Sequence, residues 1–300
     1  MTEITLLDGG IGQELVARSG LPPTPLWSTD VMRGQPHLVG EVHGDYFAAG
    51  AQVATTNTYA IHRDRLARAG LEAEFEALHD LALVQAEAAR ARHVLGGGTG
   101  RIAGSIGPLG ASYRADVAPD HVAAVALYAE VARLLAPRVD LLIAETIASL
   151  AQARAVIEGA SGLGVPQGVP LWLAFTVDDE DGRRLRSGEA LADVVPMLDG
   201  VDAILANCSS PEAMPRALEV LGRSGLPFGA YANGFTQITK DFLKDAPTVD
   251  ALAARRDMGP EVYSDHVMAW IDQGATIVGG CCEVGPAHIR EIASRIRVPA

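Results

Sequence analysis

Short apolar runs recur along the chain, each followed by a stretch with helical spacing. The runs predict strands at Ile4–Leu7, Gln52–Thr56, Arg101–Ser105, Leu141–Glu145, Leu171–Phe175, Ile204–Cys208, Phe228–Tyr231 and Thr276–Gly280. Several, such as LLIAE and VDAILAN, are almost wholly apolar. Strands buried on both faces of a parallel sheet read this way. Between them lie amphipathic helices. Leu71–His93 carries Phe75, Leu78, Leu81 and Ala82 at helical spacing, and His121–Leu135 and Ala148–Glu158 follow the same rule. Ile11–Ser19, Leu38–Ala49 and Glu261–Ile271 complete the predicted helices. Eight strands alternating with helices predict a single (β/α)8 barrel over residues 1–300, with an open doubly wound sheet as the competing architecture.

After Tyr231 about thirty residues pass before the final predicted helices. In a barrel that segment leaves from the C-terminal ends of the strands, where active sites lie, and it has the position of a lid.

A length of 300 residues suits one such barrel, and 48% hydrophobic with 20% charged residues is a globular composition. The formal net charge of −13 disfavours nucleic acid and anionic membrane surfaces as partners. No apolar run reaches the ~20 residues of a membrane span. The opening MTEITLLDGG lacks the basic and apolar regions of a signal peptide, so a cytoplasmic location is expected. Nothing in the sequence sets the oligomeric state.

There are 3 cysteines: Cys208, Cys281 and Cys282. In a reducing compartment a sparse, odd count points to metal or catalysis before disulfides. All fall at predicted strand ends on one face of the barrel. Successive side chains on a strand point to opposite faces, so the backbone must leave β geometry for Cys281 and Cys282 to reach one ion. The preceding Gly279 and Gly280 make unusual backbone angles cheap. Three thiolates on zinc leave a fourth tetrahedral position open, the arrangement of a catalytic site. A free thiol, with pKa ~8.5, is mostly protonated at neutral pH, and a metal-bound one is deprotonated. Buried inert cysteines and a vicinal Cys281–Cys282 disulfide are the competing readings.

Other strand ends are polar: Asp8-Gly9-Gly10, Thr55-Thr56-Asn57, Glu145-Thr146, and Asn207 beside Cys208. Carboxylates at a barrel mouth suit a substrate ammonium. Asp8 also has the position of a helix N-cap for Ile11–Ser19. Glu145 follows four apolar strand residues, a poor place for an idle carboxylate. His37 and His43, six apart, do not make a metal pair, and Ser105 lacks a paired base.

These segments together resemble the homocysteine S-methyltransferase family. The resemblance rests on LLDGGIGQEL, LWS at Leu26–Ser28, DYFAAGAQVATTNTY at Asp45–Tyr59, AGSIGPLGA at Ala103–Ala111, LLIAETI at Leu141–Ile147, ILANCSSP at Ile204–Pro211 and IVGGCCEVGPAHIR at Ile277–Arg290. It implies a (β/α)8 barrel, one zinc ion on Cys208, Cys281 and Cys282, and homocysteine sulfur as fourth ligand. It places Asp8, Gly9, Thr56 and Glu145 against the amino-acid part of homocysteine, with Asn207 and Trp27 as further substrate contacts. The implied donor is a sulfonium, S-methylmethionine or S-adenosylmethionine. Betaine is the alternative: Trp27 matches one ring of a quaternary-ammonium cage, whereas Ala60 and Thr146 stand where two more are expected. A zinc- and thiol-binding barrel without turnover is the reading from a different class. Tyr231-Ala232-Asn233-Gly234-Phe235 departs from the Pro-Asn-Ser-Gly-Glu pattern of the S-methylmethionine-using branch.

Overall fold

The computed structural model describes residues 3–21, 24, 26–162, 164–235 and 254–296. Eight parallel strands run β1 Thr5–Leu6, β2 Val53–Thr55, β3 Arg101–Ile106, β4 Leu141–Ile147, β5 Leu171–Phe175, β6 Ala203–Asn207, β7 Phe228–Ala232 and β8 Ile277–Gly280. The sheet order is β1-β8-β7-β6-β5-β4-β3-β2. A parallel bridge between Leu7 and Val53, with Gln52 N donating to Leu6 O and Asp8 N to Val53 O, joins the two ends. The sheet therefore closes as a barrel, and the open doubly wound alternative is excluded.

Strict alternation builds two apolar layers from the same strands. Leu141, Ile143, Trp172, Ala174, Ala203 and Leu205 point inward and fill the barrel with a compact plug. Their neighbours Leu142, Ala144, Leu171, Leu173, Ile204 and Ala206 point outward and join the helix layer. This two-sided burial is why the strands read as unbroken apolar runs. Tyr231 and Cys281 lie against the plug, so the strand ends above it form the floor of the mouth.

Helix boundaries follow local capping. The helix at Leu150–Ala160 starts where Ser149 Oγ accepts from Gln152 N at 3.2 Å, and His121–Leu135 where Asp120 accepts from Ala123 N at 3.0 Å. The stretch predicted as one helix from Leu71 opens as a 3-10 turn at Glu72–Glu74 before the helix Phe75–Leu95. After β5 the expected helix is a 3-10 segment, Leu191–Met197, interrupted by Pro196, which lacks the N–H an α-helix needs. Of the lid predicted after Tyr231, residues 236–253 lie outside the described residues.

Two helices of the outer layer carry buried histidines. His43 on Pro36–Ala49 and His79 on Phe75–Leu95 are both held down to about 4 by burial. Neither ring nitrogen of His43 has a hydrogen-bond partner. The unfolded chain takes up protons near pH 6.5 that the folded chain refuses until about pH 4. The stabilisation is therefore complete above 6.5 and lost as pH falls toward 4. At pH 5 the loss should be on the order of 2 kcal/mol per histidine relative to neutral pH. Urea midpoints at pH 7 and 5 check this, and because burial also holds down His62, His43→Leu should remove about a third of the histidine contribution.

Candidate active site

The mouth of the barrel holds a cavity walled by residues at the ends of every strand but the fifth. Of the residues singled out in the sequence, Asp8, Gly9, Trp27, Thr56, Glu145, Cys208, Cys281 and Cys282 line it. Asn207 does not.

The three sulfurs lie within 4.8 Å of one another. Cys208 follows β6 and Cys281 follows β8, with Cα atoms 5.8 Å apart. Their sulfurs are in disulfide contact, and Cys282 is the free thiol. The vicinal Cys281–Cys282 pairing is thus not the one found. The backbone leaves the strand at Gly280, ahead of both cysteines and not between them, and the glycines act differently from expectation. Positive φ falls on Cys208 (48°) and Glu283 (64°), and neither Gly279 nor Gly280 has it. Gly280 is needed for space, since a Cβ there would meet Val284 Cγ1 at 2.1 Å. In the loop that follows the neighbouring strand β1, a Cβ on Gly10 would come within 2.6 Å of Cys281 O. Only glycine lets the β1 loop approach the cysteine turn this closely.

Burial pushes the Cys282 thiol up to about 12. An isolated thiol there stays protonated at neutral pH. With the Cys208–Cys281 contact reduced, three sulfurs converging on one point suit one tetrahedral zinc, and a metal cation would reverse the effect of burial by holding them as thiolates.

Two carboxylates stand beside the sulfurs. Asp8 is buried, its Oδ2 accepting from Thr55 N at 2.7 Å and its oxygens from Thr55 Oγ1 at 3.0 Å. It caps no helix: Ile11–Ser19 is preceded by Gly10 with no side-chain cap. Glu145 accepts from Ser105 Oγ and, at 3.0 Å, from Tyr231 OH. Burial raises both carboxyls above the usual range, against the opposing pull of these hydrogen bonds, and Glu145 adds repulsion at Asp8. No lysine or arginine lines the cavity among the described residues. The mouth thus holds two acidic groups with no basic side chain among the described lining residues, and a bound cation would favour their ionised forms.

Adjacent residues Glu145 and Thr146 both face the cavity, which a regular strand forbids. A register shift in β4 between Ala144 and Ile147 permits it, with Thr146 at φ 59°. A β-branched residue there is strained. Asn207 holds it: its Oδ1 accepts from Thr146 N at 3.0 Å and its Nδ2 donates to Thr146 Oγ1 at 3.2 Å. The structure therefore places Asn207 behind the wall rather than in it. Thr56 lines the wall, but its hydroxyl is already engaged by Thr58 Oγ1 and Ser105 N. Asn207→Ala would leave the buried Thr146 N–H unpaired and should cost about 1–3 kcal/mol in urea unfolding. Most of that cost should persist in a Thr146→Gly background, because glycine keeps the backbone N–H and loses only the hydroxyl that Asn207 Nδ2 meets.

Three rings close the mouth. Trp27 (φ 49°) and Tyr113 (φ 64°) pack on the sulfurs, and Tyr59 lines the wall with its OH 2.8 Å from Ser112 Oγ. The sequence had pointed only to Trp27 and to the absence of rings at 60 and 146. All five described non-glycine residues with positive φ line this cavity or the pocket beside it. Strain concentrated this way marks a functional site.

A closed parallel barrel whose C-terminal mouth gathers sulfurs, carboxylates and rings defines a small-molecule enzyme of the TIM-barrel class. A family model described as homocysteine S-methyltransferase matches residues 5–296. Homocysteine S-methyltransferase of Escherichia coli (strain K12) is 32% identical over 98% of this chain and 95% of its own. Homocysteine S-methyltransferase YbgG of Bacillus subtilis (strain 168) is 29% identical over 98% and 95%. The metallated form of the E. coli homocysteine methyltransferase MmuM superposes with TM-score 0.81 at 30% identity, covering 98% of this chain and 96% of that one. Its oxidised form gives 0.82 at 30%, covering 97% and 96%. The chain belongs to the homocysteine S-methyltransferase family.

Proposed function

We propose that this protein transfers a methyl group from a sulfonium donor, S-methylmethionine or S-adenosylmethionine, to homocysteine, giving methionine. The observation that carries the reading is the juxtaposition of three convergent sulfurs with two buried carboxylates that lack a basic partner. Zinc on Cys208, Cys281 and Cys282, one ion per chain, would supply the positive charge that turns the acceptor thiol into a thiolate.

The remaining work falls to the chain's own residues. Asp8 and Glu145 bind the acceptor's ammonium, and Ser105 and Tyr231 hold Glu145 in place. Gly9 lines the cavity with its backbone, and its missing side chain lets β1 pack against Val284, whose carbonyl oxygen a Cβ would meet at 2.0 Å. Trp27, Tyr59 and Tyr113 offer ring faces to the donor's positive charge beside the sulfurs. Attack of the thiolate forms the new S–CH3 bond as the donor's S–CH3 bond breaks, and the electron pair stays on the donor sulfur. An anion and a cation become two neutral thioethers, so a cavity that excludes water favours the transition state. The reduced triad requires a reducing compartment, which suits the cytoplasm. No described helix is long and apolar enough to cross a membrane.

Ala60 and Thr146 leave the ring cage open on one side. That opening suits a sulfonium carrying an amino-acid chain better than a compact quaternary ammonium. A donor panel with homocysteine, scored by methionine formed, tests the assignment. S-methylmethionine or S-adenosylmethionine should outperform betaine. A faster reaction with betaine would reverse the donor assignment, and no methionine with any donor would leave a thiol-binding barrel.

A further inference from the structure

Gln13 is a polar side chain at the site for which the proposed reaction has no use. It sits in the first turn of helix Ile11–Ser19 and lines the cavity together with Cys282. It also lines the neighbouring pocket that holds Glu14 and Glu283, so it forms the partition between the two. Its amide nitrogen is buried and has no nitrogen or oxygen partner among the described residues; the acceptor it meets is the Cys282 sulfur. A buried donor left without a strong acceptor is costly, and an apolar residue at 13 would avoid that cost. The side chain faces the Cys282 thiol. A protonated thiol is a weak acceptor, whereas hydrogen bonds to an ionised acceptor are roughly twice as strong as neutral ones. The donor at 13 is therefore mismatched to a thiol and matched to a metal-bound thiolate.

We infer that Gln13 is a positioning residue for the metal centre, its Nε2–H group donating to the Cys282 sulfur once that sulfur is a zinc thiolate. The inference rests on the zinc reading given above. Such a bond orients the ligand sulfur and draws electron density from it, leaving more positive charge on the metal to acidify the acceptor thiol. The nearby Glu14 and Glu283 carboxylates could not do this, because they accept rather than donate.

The test is Gln13→Leu in the full-length protein, with Zn²⁺ titrated against a chromophoric chelator. Zinc affinity should fall about 10- to 100-fold, the range for loss of an outer partner of a metal ligand. In cobalt-substituted protein the sulfur-to-cobalt charge-transfer band should move to lower energy, because the thiolate becomes more electron-rich. The metal-free variant should be no less stable in urea than wild type, since a buried donor without a strong acceptor has been removed. Gln13→Glu, which sets a carboxylate against the thiolate, should weaken zinc further. Unchanged zinc affinity and an unmoved cobalt band would overturn the inference, whatever happened to stability. Failure of the wild-type protein to bind zinc would instead sink the functional reading, and this inference with it, so the two failures are distinct.

Discussion

Cys208→Ser should abolish methyl transfer while leaving the barrel folded, and Cys282→Ser should do the same. Structural zinc sites bind with about 10–16 kcal/mol in total, so one lost ligand costs about 3–4 kcal/mol. That is near a thousandfold in zinc affinity. A serine hydroxyl does not ionise in its place at neutral pH. Cys208 and Cys282 lie above the apolar plug rather than within it, so circular dichroism should be unchanged. Zinc content and methionine formation should fall together. A serine variant that kept full turnover would show that the sulfurs are packing residues.

Glu145→Gln has the next largest expected effect. Glutamine keeps the shape and can still meet Ser105 and Tyr231, but it carries no charge for an ammonium. Removing one partner of a buried charge pair costs about 3–5 kcal/mol. KM for homocysteine should therefore rise on the order of a hundredfold or more, with a smaller change in kcat. A thiol acceptor without an amino group should react equally well with wild type and variant. An equal loss for both acceptors would mean that Glu145 acts on wall geometry and not on the ammonium.

The barrel was legible because strands covered on both faces leave unbroken apolar runs, as LLIAE and ILAN do. The cysteine triad was legible because the topology sends the ends of β6 and β8 to one mouth, only β7 between them. What escaped depended on backbone geometry that no periodicity encodes. The shift in β4 brings Thr146 to the wall and makes Asn207 its support. A strained φ turns Tyr113 onto the sulfurs from a loop with no sequence signature for it. Gly279 and Gly280 were correctly placed beside the cysteines, yet for backbone freedom rather than close approach. A further sequence signal for the latter lay in Gly10, whose missing side chain makes room for the adjacent cysteine turn.

The most direct measurement is methionine formation by the reduced protein before zinc is stripped with a chelator, after stripping, and after one equivalent of zinc per chain is restored. The account predicts that turnover disappears with the metal and returns with it. Undiminished methyl transfer by the metal-free protein would contradict it.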